Sequence, residues 1–265
     1  MRPQGRPKGE YRSAQHEGTP VTEHWLVLGA SSAIARAFVR EVARRGAAVT
    51  LAGRDIGDLE AIASDARLRG ASRAVVLHCD AADAASRDAF IRQVPAADAQ
   101  LNLLLAIGNM PEQQAMDIDP ALLSNMLATN FTGPVDLIQK LVPQFEAQRG
   151  GRIVVIGSVA GDRGRRKNYL YGSAKAGLGL YADGLRARLY AAGATVTLIK
   201  PGFVDTAMTW GLPGLFLVAS PADCARQILR AADRGAATAY VPFFWRYIML
   251  IIRHIPAQIM KKLSF

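Results

Sequence analysis

The sequence predicts a single α/β domain in which helices cover both faces of one parallel, seven-stranded sheet, a doubly wound architecture of the Rossmann type. Short, continuously hydrophobic runs alternate with longer segments of helical periodicity, as expected for strands buried on both faces. The length of 265 residues and the 50% hydrophobic content suit one domain with one core. The predicted strands are 25–28, 48–51, 74–77, 101–105, 153–156, 196–199 and 239–241.

The segment between the first two strands shows the helical pattern clearly. Ile34, Phe38 and Val42 recur every four residues, and arginines occupy another face. This spacing predicts an amphipathic helix. Crossover helices of this kind, all right-handed, can join the strands into one sheet.

Composition divides the chain into three parts. Residues 1–20 contain few large apolar side chains and many prolines, glycines and charges, so we expect a disordered basic tail. The catalytic domain is expected at 21–242, and an apolar, basic segment follows at 243–265. No internal repeat or low-complexity linker indicates a second domain.

The cysteines and the hydrophobic runs indicate the cellular compartment of the protein. Cys79 and Cys224 are far apart and show neither disulfide nor metal-ligand spacing, so we expect no metal and a reducing, cytoplasmic environment. No apolar run reaches the roughly 18–20 residues of a membrane span, and the N-terminus lacks the apolar centre of a signal peptide. The net charge of +10 is concentrated in the tail, in residues 163–167 and in the last twenty residues.

A turn of small residues follows the first predicted strand. Gly29-Ala-Ser-Ser-Ala-Ile-Ala35 opens the first helix, where free N–H groups and the helix dipole favour a phosphate. Alanines stand at 33 and 35, where a glycine-rich dinucleotide fingerprint places glycine, so tight packing alone would also explain the turn. The expected cofactor contacts in this turn are Gly29, Ser31, Ser32, Ala33 and Ile34.

The ends of the second and third strands bear on which dinucleotide binds. The second strand ends at Arg54, with no acidic residue at its terminus to bind the ribose hydroxyls, and Arg54 suits a 2′-phosphate. We therefore expect NADP(H) in preference to NAD(H), although Asp55 is adjacent and a surface arginine is often simply solvated. Asp80, at the end of the third strand, can accept a hydrogen bond from the adenine amino group, cap the next helix, or do both.

Tyr171 and Lys175 carry the strongest chemical signal. They are four residues apart, so on a helix they share a face and the ammonium can lie near the phenol. Carbonyl chemistry needs a proton donor and acceptor, but a phenol with a pKa of about 10 is a poor base at neutral pH. Lowering this pKa by about 3 units requires roughly 4 kcal/mol, which a nearby ammonium and a nicotinamide charge can supply. Taken alone, a tyrosine and a lysine at this spacing also form a common pair on the surface of helices.

Ser158 and Asn130 complete the constellation. Ser158 follows the strand at 153–156, so its hydroxyl should emerge at the carboxyl edge of the sheet and donate to a carbonyl oxygen. Asn130 falls inside a predicted helix, where asparagine is unfavourable, and its amide could hold a water that relays protons to Lys175.

The order of these motifs resembles the short-chain dehydrogenase/reductases over residues 23–240. The landmarks are the turn at 29–35, Asp80, Ala106-Ile-Gly-Asn109, Asn130, Ser158, Tyr171, Lys175 and Pro201-Gly-Phe-Val-Asp-Thr206. The chain departs from the family in the two alanines of the turn and in Ile107-Gly108, where the family often has Asn-Ala.

The resemblance implies roles for particular residues. It makes the Asn-Ser-Tyr-Lys set catalytic, with Tyr171 as acid/base in NAD(P)H-dependent hydride transfer between a nicotinamide and a carbonyl carbon. It also implies contacts between the Pro-Gly-x-x-x-Thr stretch and the nicotinamide carboxamide. The cofactor contacts expected on this basis, beyond the turn, are Ala106, Gly108, Tyr171, Lys175, Pro201, Gly202, Val204 and Thr206.

A basic run, Arg163-Gly-Arg-Arg-Lys167, lies between Ser158 and Tyr171, so both of its ends are tied to the predicted site. Guanidinium groups bind phosphate through paired hydrogen bonds, and we expect Arg163, Arg165 and Arg166 to contact an anionic, phosphorylated substrate. The alternative is a charged loop that only faces water.

The last segment has the composition of a helix that lies on an anionic membrane surface. Arg246 and Arg253 share one side, and Pro256 is expected to bend the helix or start a second one. The alternative is a helix packed on the domain or on a neighbouring subunit. The apolar stripe is predicted at Phe244, Ile248, Ile251, Ile255 and Ile259.

Within the family, the basic run and the last segment are similar to the decaprenylphosphoryl-2-keto-β-D-erythro-pentose reductases. This resemblance implies reduction of the 2-keto group of a polyprenylphosphoryl pentose in cell wall biosynthesis, beside a flavin-dependent oxidase partner and at the inner membrane face. The alternatives are a 3-oxoacyl-carrier-protein or other lipid carbonyl reductase, and a non-catalytic dinucleotide-binding membrane-associated protein. An intact catalytic set argues against the last. We expect a homo-oligomer and no nucleic-acid partner.

Overall fold

The computed structural model describes residues 23–94, 99–211 and 216–263, and the predicted tail at 1–20 lies outside the described residues. The described residues form seven parallel strands in the order β3-β2-β1-β4-β5-β6-β7, so the predicted fold is confirmed. The strands are β1 (Glu23–Leu28), β2 (Ala48–Gly53), β3 (Ala74–His78), β4 (Gln100–Leu105), β5 (Arg152–Ile156), β6 (Thr195–Pro201) and β7 (Thr238–Val241).

Helices connect the strands and cover both faces of the sheet. A π-helical turn (Ala128–Thr132) precedes α6, and a 3-10 turn (Val159–Asp162) follows β5. The helices are α1 (Ala33–Ala43), α2 (Ile56–Leu68), α3 (Ala84–Gln93), α4 (Gln113–Ile118), α5 (Pro120–Leu127), α6 (Gly133–Gln148), α7 (Tyr169–Leu189), α8 (Pro221–Asp233), α9 (Trp245–His254) and α10 (Ala257–Met260).

Two apolar clusters, one on each face of the sheet, explain why the strand runs are continuously hydrophobic. In β1, Trp25 and Val27 pack into one cluster with α1, α2 and α8, whereas Leu26 and Leu28 pack into the other with α3, α6 and α7. Because successive side chains of a strand point to opposite faces, both faces need apolar residues.

Short polar side chains fix the starts of several helices. Ser32, Asp55, Asp83 and Ser220 each accept hydrogen bonds from backbone N–H groups in the first turn of the helix that follows. The suggestion that Asp80 caps the helix after β3 is therefore wrong, because Asp83 occupies that position. Asp80 instead accepts a bond from the N–H of Ala82 at 2.9 Å, which closes a turn before the helix.

The strand order reverses between β1 and β4, because β1 pairs with β2 on one side and with β4 on the other. The connections from these strands run in opposite directions, which leaves a crevice at their carboxyl ends where ligands bind. Gly29 lies at this point with φ of 76°. A Cβ atom there would approach the backbone carbon and oxygen of Ala106 to 2.8 Å, so the crevice requires glycine.

The last segment forms two short helices, and Pro256 starts the second, as predicted. One face of α9 is buried against the domain through Trp245 and Met249. The predicted apolar stripe is not one surface: Phe244 and Ile248 pack on the domain, whereas Ile251 and Ile259 are exposed. Among the described residues, no helix combines the length and the apolar character needed to cross a bilayer.

Gly133→Ala should destabilise the protein by about 1–3 kcal/mol, the usual cost of overpacking. A Cβ at this position would meet the backbone oxygen of Ala81 at 1.9 Å, so α6 would have to move away from the segment after β3. Gly184→Ala in α7 is the matched control, because a Cβ there meets nothing within 4 Å and alanine favours the helix. Urea unfolding of the two variants should give shifts of opposite sign, and equal shifts would contradict the prediction.

Candidate active site

Tyr171 and Lys175 lie one turn apart near the start of α7, and both side chains are buried. The Nζ atom of Lys175 is 5.8 Å from the centre of the Tyr171 ring. The predicted shared face is therefore present. Gly172 lets this part of α7 approach the 3-10 turn closely, since a Cβ there would lie 2.8 Å from the oxygen of Ala160.

Lys175 is anchored by backbone oxygens at the carboxyl ends of two strands. Its Nζ donates to the oxygen of Ile156, which ends β5, at 3.2 Å, and to that of Ile107, just after β4, at 3.4 Å. The amine is thus fixed at the crevice rather than free to swing. Burial lowers the pKa of Lys175 to about 8.

Burial raises the pKa of Tyr171 to about 12, and the Ser158 side chain beside it acts in the opposite direction. This direction differs from the lowering that the sequence argument requires for Tyr171 to act as a base. The physical reason is that desolvation of the phenolate outweighs the effect of its neighbours. A phenol with this pKa is protonated at neutral pH, which makes it a proton donor.

Ser158 emerges at the carboxyl end of β5, as predicted. It caps the 3-10 turn with extended backbone, and its Oγ accepts a bond from the N–H of Ala160 at 3.0 Å. The Oγ is therefore held at the edge of the sheet with its proton left to donate, which suits contact with a carbonyl oxygen.

Asn130 is buried in the π-helical turn, an irregularity that is frequent at functional sites. Its Nδ2 donates to the backbone and side-chain oxygens of Asn109, at 2.9 and 2.7 Å, and to the oxygen of Met126 at 3.0 Å. Its Oδ1 is buried and has no partner among the described residues. A Cβ on Gly108 would lie 3.0 Å from this Oδ1 and 3.2 Å from the Nζ of Lys175, so both atoms border the same small space.

The first turn of α1 has the geometry of a phosphate site. Ser32 caps the helix by accepting from Ala35, while the N–H groups of Ala33 and Ile34 have no intrahelical acceptor. Ser31 is exposed beside them. Arg36 holds the turn by donating from Nε to the oxygen of Ser31 at 2.9 Å. With the crevice at Gly29, these groups fit a dinucleotide pyrophosphate, although glycine is absent from two positions of the fingerprint.

Arg54 is exposed immediately after β2. The acidic residues near it are engaged elsewhere: Asp55 caps α2, and Asp58 pairs with Arg36 at 2.5 Å. Asp80 follows β3 and is half-buried, with one oxygen in its own turn.

The stretch from Pro201 to Thr206 follows the carboxyl end of β6. Val204 is buried and bridges to Ala219, and Thr206 is held by a contact with Thr209. Gly202 lies against the indole of Trp245, since a Cβ there would approach the indole nitrogen to 1.9 Å. The C-terminal helix therefore packs directly on the predicted nicotinamide loop. The Nε1 atom of Trp245 is buried and has no partner among the described residues.

The basic loop after the 3-10 turn is only partly open to solvent. Arg163 donates from Nη2 to the oxygen of Ile255 at 3.0 Å, which ties the loop to the end of α9. Arg165 is half-buried, and burial lowers its pKa while Asp162 opposes this. Arg166 is exposed. Thus the three arginines predicted to bind substrate occupy different environments.

Sequence reasoning did not identify a buried ionic cluster beside the site. Asp162, whose side chain is 2% exposed, accepts bonds from Lys200 at 2.5 Å and from the hydroxyl of Tyr240 at 2.6 Å. The cluster links two parts of the site. One is the loop that carries Ser158, and the other is β6, the strand that ends at Pro201. A cavity of about 230 Å³ lies beside it and is lined in part by Ser158 and Lys175. The available signal was an acidic residue directly before the basic run at 163–167.

The chain is similar to a known protein family over most of its length. A family described as short chain dehydrogenase matches residues 23–213. An uncharacterized oxidoreductase of Streptomyces coelicolor is 34% identical over 241 residues, covering 90% of this chain and 94% of the relative. An uncharacterized oxidoreductase of Mycobacterium tuberculosis is 30% identical over 239 residues, covering 90% and 96%. A solved short-chain dehydrogenase from Sphingobium yanoikuyae in complex with NADPH superimposes with a TM-score of 0.77, at 23% identity, over 89% of this chain and 97% of that one.

Lys175→Met should remove a rise in stability that the wild-type protein shows above pH 8. Burial holds the pKa of Lys175 near 8 in the folded protein, against an ordinary value of 10.5, so between these values the unfolded chain binds more protons. The free energy of unfolding therefore increases with pH across this window. Urea unfolding at several pH values between 8 and 10 should show a smaller slope for the variant. Identical slopes would contradict the prediction.

Proposed function

We propose that this chain, which belongs to the short-chain dehydrogenase family and is an NAD(P)-dependent oxidoreductase acting on CH–OH and C=O groups, works as an NADPH-dependent carbonyl reductase. The observation that carries the proposal is the meeting of Tyr171, Lys175 and Ser158 at the carboxyl ends of β4 and β5, beside the crevice at Gly29. In the direction of reduction, the protonated Tyr171 phenol is the proton donor.

Each side chain has one role in this reaction. The dinucleotide, when bound, supplies the hydride to the carbonyl carbon. The Ser158 hydroxyl donates a hydrogen bond to the carbonyl oxygen and so orients it. Tyr171 gives its proton to that oxygen as negative charge develops. Lys175, fixed by two backbone oxygens, stabilises the resulting phenolate.

Asn130 helps to return a proton to Tyr171 after Tyr171 has given its own to the substrate. Its Oδ1 and the Nζ of Lys175 border one space beside Gly108, and a buried polar atom without a protein partner is usually satisfied by water. We propose that a water there passes a proton to Lys175 and on to Tyr171. Asn109 acts as a positioning residue, because it receives two hydrogen bonds from Asn130.

NADP(H) is the proposed cofactor, with NAD(H) as the weaker one. Arg54 is exposed at the end of β2, whereas Asp55 caps α2 through its Oδ1 and Asp58 pairs with Arg36. Arg54 can then bind a 2′-phosphate. The proposed contacts along the dinucleotide are those expected from the sequence, with Asp80 toward the adenine and Gly202 and Thr206 toward the nicotinamide.

The proposed substrate is a ketone that carries an anionic group. Arg166 is exposed in the loop between Ser158 and Tyr171, and Arg163 and Arg165 lie in the same loop. Within this class we propose a polyprenylphosphoryl 2-keto-pentose, which rests on the similarity of the loop and the last segment to the corresponding reductases. Such a substrate would place the enzyme at the cytoplasmic face of a membrane, with a flavin-dependent oxidase supplying the keto sugar.

Tyr171→Phe should lower kcat at least about 100-fold, the usual contribution of a general acid, while the Kd for NADPH changes little. The change removes only the phenolic proton donor. Turnover can be followed by NADPH absorbance and cofactor binding by calorimetry. Tyr190→Phe is the control, because Tyr190 is exposed just beyond the end of α7 and should be silent. A Tyr171→Phe enzyme that keeps more than a small fraction of the wild-type rate would refute the assigned acid.

Arg54→Ala should weaken NADPH binding by about tenfold, as expected for one charge-assisted contact with a phosphate, and leave NADH binding nearly unchanged. The measurement is the Kd of each reduced cofactor. Arg44→Ala is the control, because it removes another exposed arginine, one that pairs with Glu41. Equal losses for NADPH and NADH would remove the basis for the NADP preference.

Arg166→Ala should raise the KM for a phosphorylated ketose by about tenfold and leave the KM for its dephosphorylated form unchanged. Wild-type rates with a polyprenylphosphoryl keto-pentose and with a 3-oxoacyl-carrier substrate then separate the proposed substrate from the main alternative. Arg92→Ala on α3 is the control. A faster reaction with the carrier substrate would exclude the keto-pentose proposal without affecting the assignment of Tyr171.

A further inference from the structure

A wide cationic groove runs along the outer edge of the sheet and shares Lys200, Thr238 and Arg253 with the cavity beside Ser158 and Lys175. It has a volume of about 660 Å³ and lies between α8, the edge strand β7 and α9. Its charged lining comes from Arg230 and Arg234 of α8, from Arg246 and Arg253 of α9, and from Lys200.

The positive charge of this groove is not neutralised within the described part of the chain. Lys200 is paired with Asp162, but the four arginines form no salt bridge with described residues. The two acidic residues of α8 are already engaged: Asp223 pairs with Arg226, and Asp233 with Arg45 and Arg152. The sequence contains no acidic residue after 233. Like charges held together in this way favour an anionic partner.

An apolar surface adjoins the groove on α9. Phe243, Tyr247, Leu250 and Ile251 are 69%, 61%, 55% and 70% exposed, and their spacing puts them on one side of the helix. The opposite side of α9 is buried through Trp245 and Met249, so this exposed face is a second, outward one. Arg246 lies one turn before Leu250, which places charge directly beside the apolar residues.

We infer that the groove and the outward face of α9 together form a surface that docks on an anionic lipid bilayer. A bilayer offers apolar chains for the aromatic and aliphatic side chains and a plane of phosphates for the arginines at the same time. A second copy of this chain fits less well, because two-fold symmetry through the groove would bring identical arginines together. Exposed Lys261 and Lys262 extend the positive surface beyond α10.

The docking surface extends beyond residues 243–265, the segment that the sequence predicts to lie on a membrane. Two of its four arginines, Arg230 and Arg234, come from the C-terminal end of α8. The docking surface is also mechanically connected to the active site. Trp245 packs against Gly202, and Arg163 holds the oxygen of Ile255, so α9 touches both loops that border the crevice. Docking would hold the crevice in a fixed position relative to the lipid. The inference does not depend on the proposed substrate, because its readout is lipid binding.

The test is co-sedimentation of the full chain with vesicles of phosphatidylcholine alone and with vesicles that contain about one part phosphatidylglycerol in four. The wild type should bind only the anionic vesicles, and salt should weaken binding. Arg230→Glu with Arg234→Glu should lower the partition coefficient by about tenfold or more. Leu250→Ser with Ile251→Ser should also weaken it. Arg73→Glu with Arg92→Glu, the same charge change near the opposite edge of the sheet, should have no effect.

Unchanged thermal midpoints and NADPH affinities would show that the variants are folded. Equal binding to both vesicle types, or no binding by the wild type, would overturn the inference, as would equal effects of the groove and control variants. If the groove variants instead changed the oligomeric state in size-exclusion chromatography while no vesicle bound, the surface would be an interface between copies. Binding of an acidic protein in place of vesicles would likewise overturn it.

Discussion

The architecture of the site depends on one buried amine. The Nζ of Lys175 donates hydrogen bonds to backbone oxygens at the end of β5 and just after β4. These bonds fix the distance between the two strands and α7 beside the proposed reaction site. Burial disfavours the charged form of an amine and of a phenol alike, which is why the pKa of Lys175 falls while that of Tyr171 rises. The two shifts therefore have the same cause, the burial of both groups at the start of α7.

Much of the fold follows from the sequence because parallel sheets demand apolar residues on both faces. All seven strands were predicted within a residue or two of their ends, and the helix with Ile34, Phe38 and Val42 forms as expected. Tyr171 and Lys175 could be placed because their spacing is local. The surroundings of Asn130 could not be predicted, because a π-helical turn has no clear sequence signal and the partner residue Asn109 lies 21 residues away.

Most features that the sequence did not predict depend on contacts between distant segments. Asp162, Lys200 and Tyr240 come from three separate elements, and only their meeting shows that the carboxylate is buried. Arg163 was expected at the mouth of the site, yet it holds a backbone oxygen 92 residues further along the chain. The corrected role of Asp80 has a local cause, since Asp83 offers a better-placed oxygen to the helix.

The packing of Trp245 on Gly202 couples α9 to the loop after β6 that is proposed to hold the nicotinamide. A purification tag or fluorescent protein fused next to α10 would pull on the helix that packs against this loop, whereas one fused ahead of β1 would lie toward the amino ends of the strands, at the other edge of the sheet from Gly202. The choice of fusion end is therefore a functional choice for this enzyme. Exchange of the last two helices between relatives would alter the packing on this loop while leaving the sheet intact.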